Sequence, residues 1–161
     1  MKKIVLIRHA KSSWKDTSLI DFDRPLNNRG LMNAPFMAAK LKKRRITPDL
    51  ILSSSAKRTS ETAKIFAVTL EYTNKIIFLE SLYLASSRTI LQMIRKLDEI
   101  YKNVLIVCHN PGITDLANYL SKNYFDNIPT TGIVGFSFKE EWRKIETNNC
   151  CLLFFEYPKK Y

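Results

Sequence analysis

The stretch at residues 4–10, with the sequence Ile-Val-Leu-Ile-Arg-His-Ala, places two chemically active side chains directly after an apolar run. A continuous run such as Ile4–Ile7 is typical of a strand that is buried on both faces of a sheet. Comparable runs occur at Leu50–Leu52, Ile76–Phe78 and Val104–Val107, and further strands are predicted at Ile133–Phe138 and Leu152–Phe155. Arg8 and His9 would then lie at the carboxyl end of the first strand.

Helical patterns separate these runs. Apolar residues spaced by three and four predict helices that include Leu31–Leu41, Ala63–Leu70, Ile90–Leu97 and Ile113–Leu120. Asn110 and Pro111 suit the N-cap and first position of the last helix, whereas Pro35 fits only in the first turn of its helix. Strands that alternate with helices predict an α/β fold, here a three-layer α/β/α sandwich with a mainly parallel central sheet.

Length, composition and charge limit the class of protein. The 161 residues are about one domain's worth, so we predict a single domain over residues 1–161 without a large lid domain. A content of 45% hydrophobic and 25% charged residues excludes a disordered tail, a fibrous repeat and a disulfide scaffold. The net charge of +11 favours an anionic partner, which could be nucleic acid, a membrane surface or a phosphorylated substrate.

The cysteines and the N-terminus bear on location. Cys108, Cys150 and Cys151 are odd in number and form no CxxC motif. The first apolar run ends at Arg8, too early for a signal peptide, and no stretch approaches the ~20 apolar residues of a membrane span. We therefore expect a reduced, cytoplasmic protein with no structural zinc and no membrane partner. Cys108 is predicted to lie in the core because adjacent strand residues point to opposite faces.

The residues after the predicted parallel strands carry the chemistry, because ligands bind at the carboxyl ends of such strands. The chain has only two histidines, His9 and His109, and each follows one of these strands, as does Arg58. Histidine can act as a covalent nucleophile, and arginine binds phosphate through paired, charge-assisted hydrogen bonds. This set predicts phosphoryl transfer with no metal and no organic cofactor. Neither a glycine-rich nucleotide motif nor HExxH occurs.

Four motifs appear together in the chain: Arg8-His9-Ala10, Arg24-Pro25-Leu26 followed by Gly30, the segment Ser53–Thr62 with Arg58, and Cys108-His109-Asn110. This set resembles the histidine phosphatase superfamily, and the short chain is most similar to the SixA-type phosphohistidine phosphatases. The resemblance implies a phosphoglycerate-mutase-like fold and a phosphatase that forms a phosphohistidine intermediate.

The resemblance also implies a role for each central residue. His9 would be the nucleophile, Arg8 and Arg58 would hold the phosphoryl oxygens, and His109 would donate to the same oxygens. The family pattern is less complete for the other ligands. Ser12 and Lys15 lie where mutase-like relatives place further phosphate ligands.

The general acid is the least defined part of the predicted site. Glu80 lies roughly where mutase-like relatives place a general acid, whereas Asn110 stands where phytase-like relatives have an acid. Because imidazole can leave with its own proton, we expect Glu80 to assist but not to be essential for hydrolysis of a P–N bond.

The remaining polar residues receive structural assignments. Glu61 and Thr62 are expected to support the fold. Asp21, Asp23, Arg24 and Arg29 are expected to form a solvated loop with local ion pairs. Three segments are assigned as follows: Ser53–Ser55 to a turn, the basic run Lys40–Arg45 to a solvated helix end, and Tyr157–Tyr161 to a frayed terminus.

The leading functional hypothesis is a phosphatase that acts on phosphohistidine-containing proteins. A broad small-molecule phosphomonoesterase or a mutase-like enzyme, acting on a small phosphorylated metabolite, is the first alternative. A non-catalytic module that binds phosphate or nucleic acid is the second, although no nucleic-acid motif is present and no nucleic-acid partner is expected.

Overall fold

The computed structural model describes residues 1–161 and contains six strands and four α-helices. The strands are β1 (Lys2–Arg8), β2 (Leu50–Ser54), β3 (Ile77–Leu79), β4 (Asn103–Cys108), β5 (Ile133–Phe138) and β6 (Cys151–Glu156). The helices are α1 (Asn28–Lys43), α2 (Lys57–Thr69), α3 (Ser87–Arg95) and α4 (Gly112–Leu120). None of these helices is both long and apolar enough to cross a membrane.

The strands form one mixed sheet in the order β3-β2-β4-β1-β5-β6. The four strands β3, β2, β4 and β1 are parallel, whereas β5 is antiparallel to β1 and β6 is antiparallel to β5. Arg8 pairs with Cys108 in the register of β1 and β4. The predicted α/β fold with a mainly parallel sheet is confirmed, and the parallel strands end at one edge.

Alternation along β1 divides the apolar core between the two faces of the sheet. Ile4 and Leu6 belong to the core formed with α3 and α4, whereas Val5 and Ile7 belong to the core formed with α1 and α2. All four side chains are at most 1% exposed, which explains why the sequence shows a continuous apolar run. The predicted three-layer arrangement is therefore present.

Several local predictions were wrong. Strand β3 is not buried on both faces: it lies at the edge of the sheet, and Ile77 and Phe78 are 41% and 39% exposed. Leu31 is exposed, and Pro35 lies well inside α1 rather than in its first turn, because Asn27 caps the helix earlier. The last helix begins at Gly112, one residue later than predicted.

The C-terminus is packed and not frayed. The Nζ of Lys160 donates to the carbonyl of Phe155 at 2.9 Å, and the ring of Tyr161 meets the ring of Phe36 at 5.8 Å. The ammonium of Lys40 lies 3.4 Å from the centre of the Tyr161 ring. Two residues of the basic run Lys40–Arg45 therefore have partners near the C-terminus: Lys40 contacts Tyr161, and Arg44 forms an ion pair with Glu156.

Candidate active site

The edge where the parallel strands end brings three side chains together. His9 follows β1, His109 follows β4, and Arg58 lies in the first turn of α2. The two imidazole rings are 5.3 Å apart between centroids. His9, Arg58 and His109 are 8%, 3% and 1% exposed, so this polar group is almost fully withdrawn from water.

A backbone hydrogen bond fixes the orientation of His9. Its Nδ1 lies 2.8 Å from the carbonyl oxygen of Ala10. Because a carbonyl can only accept, Nδ1 carries the proton and Nε2 carries the lone pair. The Nε of Arg58 approaches that Nε2 at 3.4 Å. The unprotonated nitrogen of His9 thus faces the guanidinium of Arg58.

Arg58 is held by a residue that the sequence did not assign to the site. Its Nη1 donates to the Asp21 carbonyl at 2.7 Å, and its Nη2 lies 3.0 Å from Asp21 Oδ2. Arg24 pairs with Asp21 Oδ1 at 3.0 Å and is 7% exposed. Asp21 and Arg24 form the expected local ion pair, but Arg24 is buried, so the prediction of a solvated loop is wrong for Arg24. Asp23 is exposed as predicted, whereas Arg29 is exposed in α1 rather than in a loop, and neither of them forms an ion pair.

His109 is positioned from two sides. Its Nδ1 lies 3.3 Å from Arg58 Nη2, and its Nε2 lies 2.7 Å from Ser54 Oγ. Arginine has only donors, so in this arrangement Nδ1 accepts and Nε2 donates to the serine. Ser53 and Ser54 belong to β2 rather than to a turn, which corrects their assignment.

Tyr83 closes the site next to His109. Its hydroxyl donates to Asp21 Oδ2, and its ring meets the His109 ring edge-on at 5.4 Å. No hydrophobic period marks Tyr83, since it follows a short 3₁₀ turn at Glu80–Leu82. The only available signal was its place just after the third parallel strand.

The supporting residues act as predicted. Thr62 Oγ1 accepts from the Ala10 amide at 3.0 Å and donates to the Arg58 carbonyl at 2.7 Å. Glu61 accepts from the Leu26 amide at 2.8 Å. Thr62 therefore ties the segment that carries His9 to α2, and Glu61 ties the segment at Leu26 to the same helix.

Burial sets the protonation of the two histidines. Desolvation lowers the pKa of His9 to about 3, and the nearby charges of Arg58 and Arg8 act in the same direction. Desolvation, followed by His9 and Arg58, lowers the pKa of His109 to about 3. Both rings are therefore neutral at pH 7, which leaves the His9 lone pair free for nucleophilic attack.

Asp21 is charged at neutral pH, in contrast to the two histidines. Burial raises its pKa, but hydrogen bonds from Tyr83, Arg58 and Arg24 outweigh this and lower the pKa of Asp21 to about 2. The carboxylate is ionised at pH 7. It can hold Arg58 in place but has no proton to give to a leaving group.

The other predicted site residues occupy varied positions. Arg8 ends β1, where its Nη1 donates to the Ile128 carbonyl at 2.8 Å and its buried Nε has no partner. Ser12 is 6% exposed in a bridge with Leu26. The side chains of Lys15 and Glu80 are exposed, and neither forms a hydrogen bond or an ion pair with the histidines or with Arg58.

Cys108 lies in the core, as predicted, and no metal-binding cluster is assembled. The thiol donates to the Leu82 carbonyl at 3.2 Å, and burial raises the pKa of Cys108 to about 12. The structure contains no group of three or more His, Cys, Asp or Glu side chains with the geometry to hold a metal ion.

Comparison with known proteins agrees with this arrangement. The family model of the histidine phosphatase superfamily (branch 1) matches residues 4–83, which include His9, Asp21 and Arg58. The chain belongs to the histidine phosphatase superfamily. Membership supports a phosphatase that works through a histidine intermediate. This histidine phosphatase family member also keeps the second histidine, His109, beyond the matched range.

Solved structures share the fold over the whole chain. A protein from Agrobacterium tumefaciens described as a candidate phosphohistidine phosphatase SixA is 29% identical, with a TM-score of 0.83 and 98% of each chain covered. The protein histidine phosphatase SixA in complex with tungstate is 19% identical, with a TM-score of 0.84 and 98% of each chain covered. An uncharacterised chloroplastic protein of Arabidopsis thaliana is 49% identical over 63 residues, which are 39% of this chain and 29% of that protein's length.

Proposed function

We propose that this histidine phosphatase hydrolyses phosphohistidine in proteins through a phosphorylated His9. The observation that carries the proposal is the fixed orientation of His9: Nδ1 is bound to the Ala10 carbonyl, and Nε2 faces Arg58. His9 Nε2 attacks phosphorus and the P–N bond of the substrate breaks; the substrate imidazole leaves as a neutral ring because its other nitrogen already carries a proton. Water then attacks phospho-His9, the second P–N bond breaks, and inorganic phosphate and free His9 result.

The charges of the site suit this reaction without a bound metal ion. Arg58 and Arg8 would neutralise the phosphoryl oxygens, and His109 would donate to them once its Nδ1 carries the proton. Metal independence is part of the proposal, and an unchanged rate in the presence of EDTA is the expected result. The tungstate in the SixA structure is a phosphate-like oxyanion, which supports an oxyanion pocket in this fold.

The absence of a protonated carboxyl next to His9 favours a P–N over a P–O substrate. Asp21 is ionised, and Glu80 is exposed without a contact to either histidine. An alkoxide leaves poorly unless an acid protonates it, whereas imidazole needs less help. A protein substrate also fits a chain that carries no lid domain. The cytoplasmic location of the enzyme and its partner stays a prediction.

Trapping of the intermediate tests the proposal. Wild-type protein mixed with ³²P-labelled phosphohistidine peptide should acquire acid-labile, base-stable label, and folded His9→Ala should acquire none. Release of phosphate should be faster from this peptide than from phosphoserine peptide or 3-phosphoglycerate. Preference for 3-phosphoglycerate would favour the small-molecule alternative. Binding of phosphate without label or turnover on any substrate would overturn the enzyme assignment.

A further inference from the structure

A second polar cleft adjoins the site at Arg8. It has a volume of 330 Å³ and lies between α1, the loop at residues 127–130 and the C-terminal turn at Pro158–Lys160. Arg29 and Asn33 of α1 line one side, and Thr130 lines another. The packing of Tyr161 on Phe36 holds the C-terminal turn in place as a wall of the cleft. The cleft is therefore built from ordered elements.

The cleft concentrates unpaired positive charge. Arg8, Lys11, Arg29 and Lys159 line it together with neutral residues only. None of the four forms an ion pair, whereas the cations of the neighbouring site, such as Arg58, are paired with carboxylates. Like charges gathered in a concave surface repel each other and attract an anion. The cleft is suited to an anionic group.

The side chains that line the cleft limit the class of ligand that it can bind. No aromatic side chain lines the cleft, and its only apolar side chains are Pro129 and Pro158, so it offers no aromatic ring on which a nucleobase could stack. The side chains of Asn33 and Thr130 can add hydrogen bonds to a small oxyanion. A phosphate or carboxylate group is the ligand that this combination of guanidinium, ammonium, amide and hydroxyl groups recognises.

Arg8 connects the cleft to the catalytic histidines. Arg8 ends β1 directly before His9, and the same residue lines the cleft. Its Nε is buried without a hydrogen-bond partner. One guanidinium could thus face two anionic groups, the transferred phosphoryl group on one side and a second group in the cleft.

We propose that this cleft binds a second anionic group of the substrate, a phosphate or a carboxylate. This group lies on the part of the substrate that is released when the phosphoryl group is transferred to His9. The inference rests on the proposed function, because it takes the transferred group to be bound by Arg8, Arg58 and the histidines. In a protein substrate the second group would be an acidic side chain or phosphoresidue beside the phosphohistidine.

Binding of non-hydrolysable probes tests the cleft without turnover. Methylphosphonate carries one anionic group, methylenediphosphonate adds a second phosphonate, and phosphonoacetate adds a carboxylate. By titration calorimetry we expect at least one of the two probes with a second anionic group to bind about tenfold more tightly than methylphosphonate. The tighter of the two identifies phosphate or carboxylate as the second group.

Matched variants show whether the cleft provides the gain. In Lys11→Gln/Arg29→Gln the affinity ratio between the better probe with a second anionic group and methylphosphonate should fall to within about twofold of one. In the control variant Lys75→Gln/Lys96→Gln, which removes two exposed lysines outside the cleft, the affinity ratio should remain about tenfold. An equal affinity for all three probes, or a ratio that survives in the Lys11/Arg29 variant, overturns the proposal. Failure of methylphosphonate itself to bind would instead count against the proposed function.

Discussion

Ser54 Oγ lies 2.7 Å from Nε2 of His109, and this hydrogen bond holds the ring on the side opposite Arg58. Nδ1 accepts from Arg58, so Nε2 donates to Ser54. A phosphoryl oxygen at Nδ1 would need a donor there. The serine hydroxyl can accept or donate, so it can serve the ring in either tautomer.

Ser54→Ala should therefore reduce catalysis. Loss of one buried hydrogen bond is worth about 0.5–1.5 kcal/mol, and we expect kcat/KM to fall about 3- to 10-fold. The Nε2 resonance of His109 in ¹⁵N NMR should shift in the same variant. The matched control is Ser53→Ala, since Ser53 lies in the same buried strand but bonds the Ser54 carbonyl. An equal loss in both variants would mean that only the strand is disturbed.

The central residues were predictable because they follow strong local patterns. His9 and His109 come directly after buried parallel strands, and Arg58 follows β2 within a distinctive motif. Asp21 and Tyr83 were not predictable, because their place depends on how two irregular loops cross the edge of the sheet. Neither loop has the regular spacing of apolar residues by which helices and strands are predicted from sequence.

The same reason explains the errors in the fold. Ile77 and Phe78 resemble a buried strand by composition, but only the strand order shows that β3 lies at the edge. The packing of Tyr161 is likewise a tertiary contact between the C-terminus and α1. Patterns along the chain specify which segments are strands or helices, whereas neighbours in space decide how much of each is exposed.

Asp21 is expected to position Arg58 through its charge. Asp21→Asn keeps an acceptor but removes the negative charge that pairs with Arg58 and Arg24. We expect kcat/KM to fall about tenfold, since a charge-assisted hydrogen bond contributes about 1.5–3 kcal/mol and part of it remains. The control is Asp23→Asn in the same turn, which should stay within about twofold. Equal effects would contradict a specific role for Asp21.

The buried neutral histidines predict a pH dependence of stability. Their folded pKa values of about 3 lie below the ordinary value of 6.5, so the unfolded chain binds more protons between these limits. The free energy of unfolding should thus fall as pH drops from 6.5 towards 3, by up to about 1.4 kcal/mol per pH unit for each histidine.

Urea unfolding at pH 7.5, 6.0 and 5.0 measures this slope. His9→Gln should remove about half of it, because His109 still titrates. A wild-type stability that is constant from pH 7.5 to pH 5.0 would show that these rings are not held neutral by burial.

Glu80 provides the last test, because its role depends on the leaving group. Its carboxylate is exposed and forms no hydrogen bond with either histidine, so it is free to act on the leaving group of a bound substrate. Glu80→Gln should slow hydrolysis of a phosphoramidate by less than about twofold and of phenyl phosphate by about tenfold, since only the phenolate oxygen needs a proton as it leaves. Initial rates on both substrates, with Glu140→Gln as the control, measure the difference. Large and equal losses on both would assign Glu80 to a step shared by P–N and P–O substrates, such as activation of the water that attacks phospho-His9.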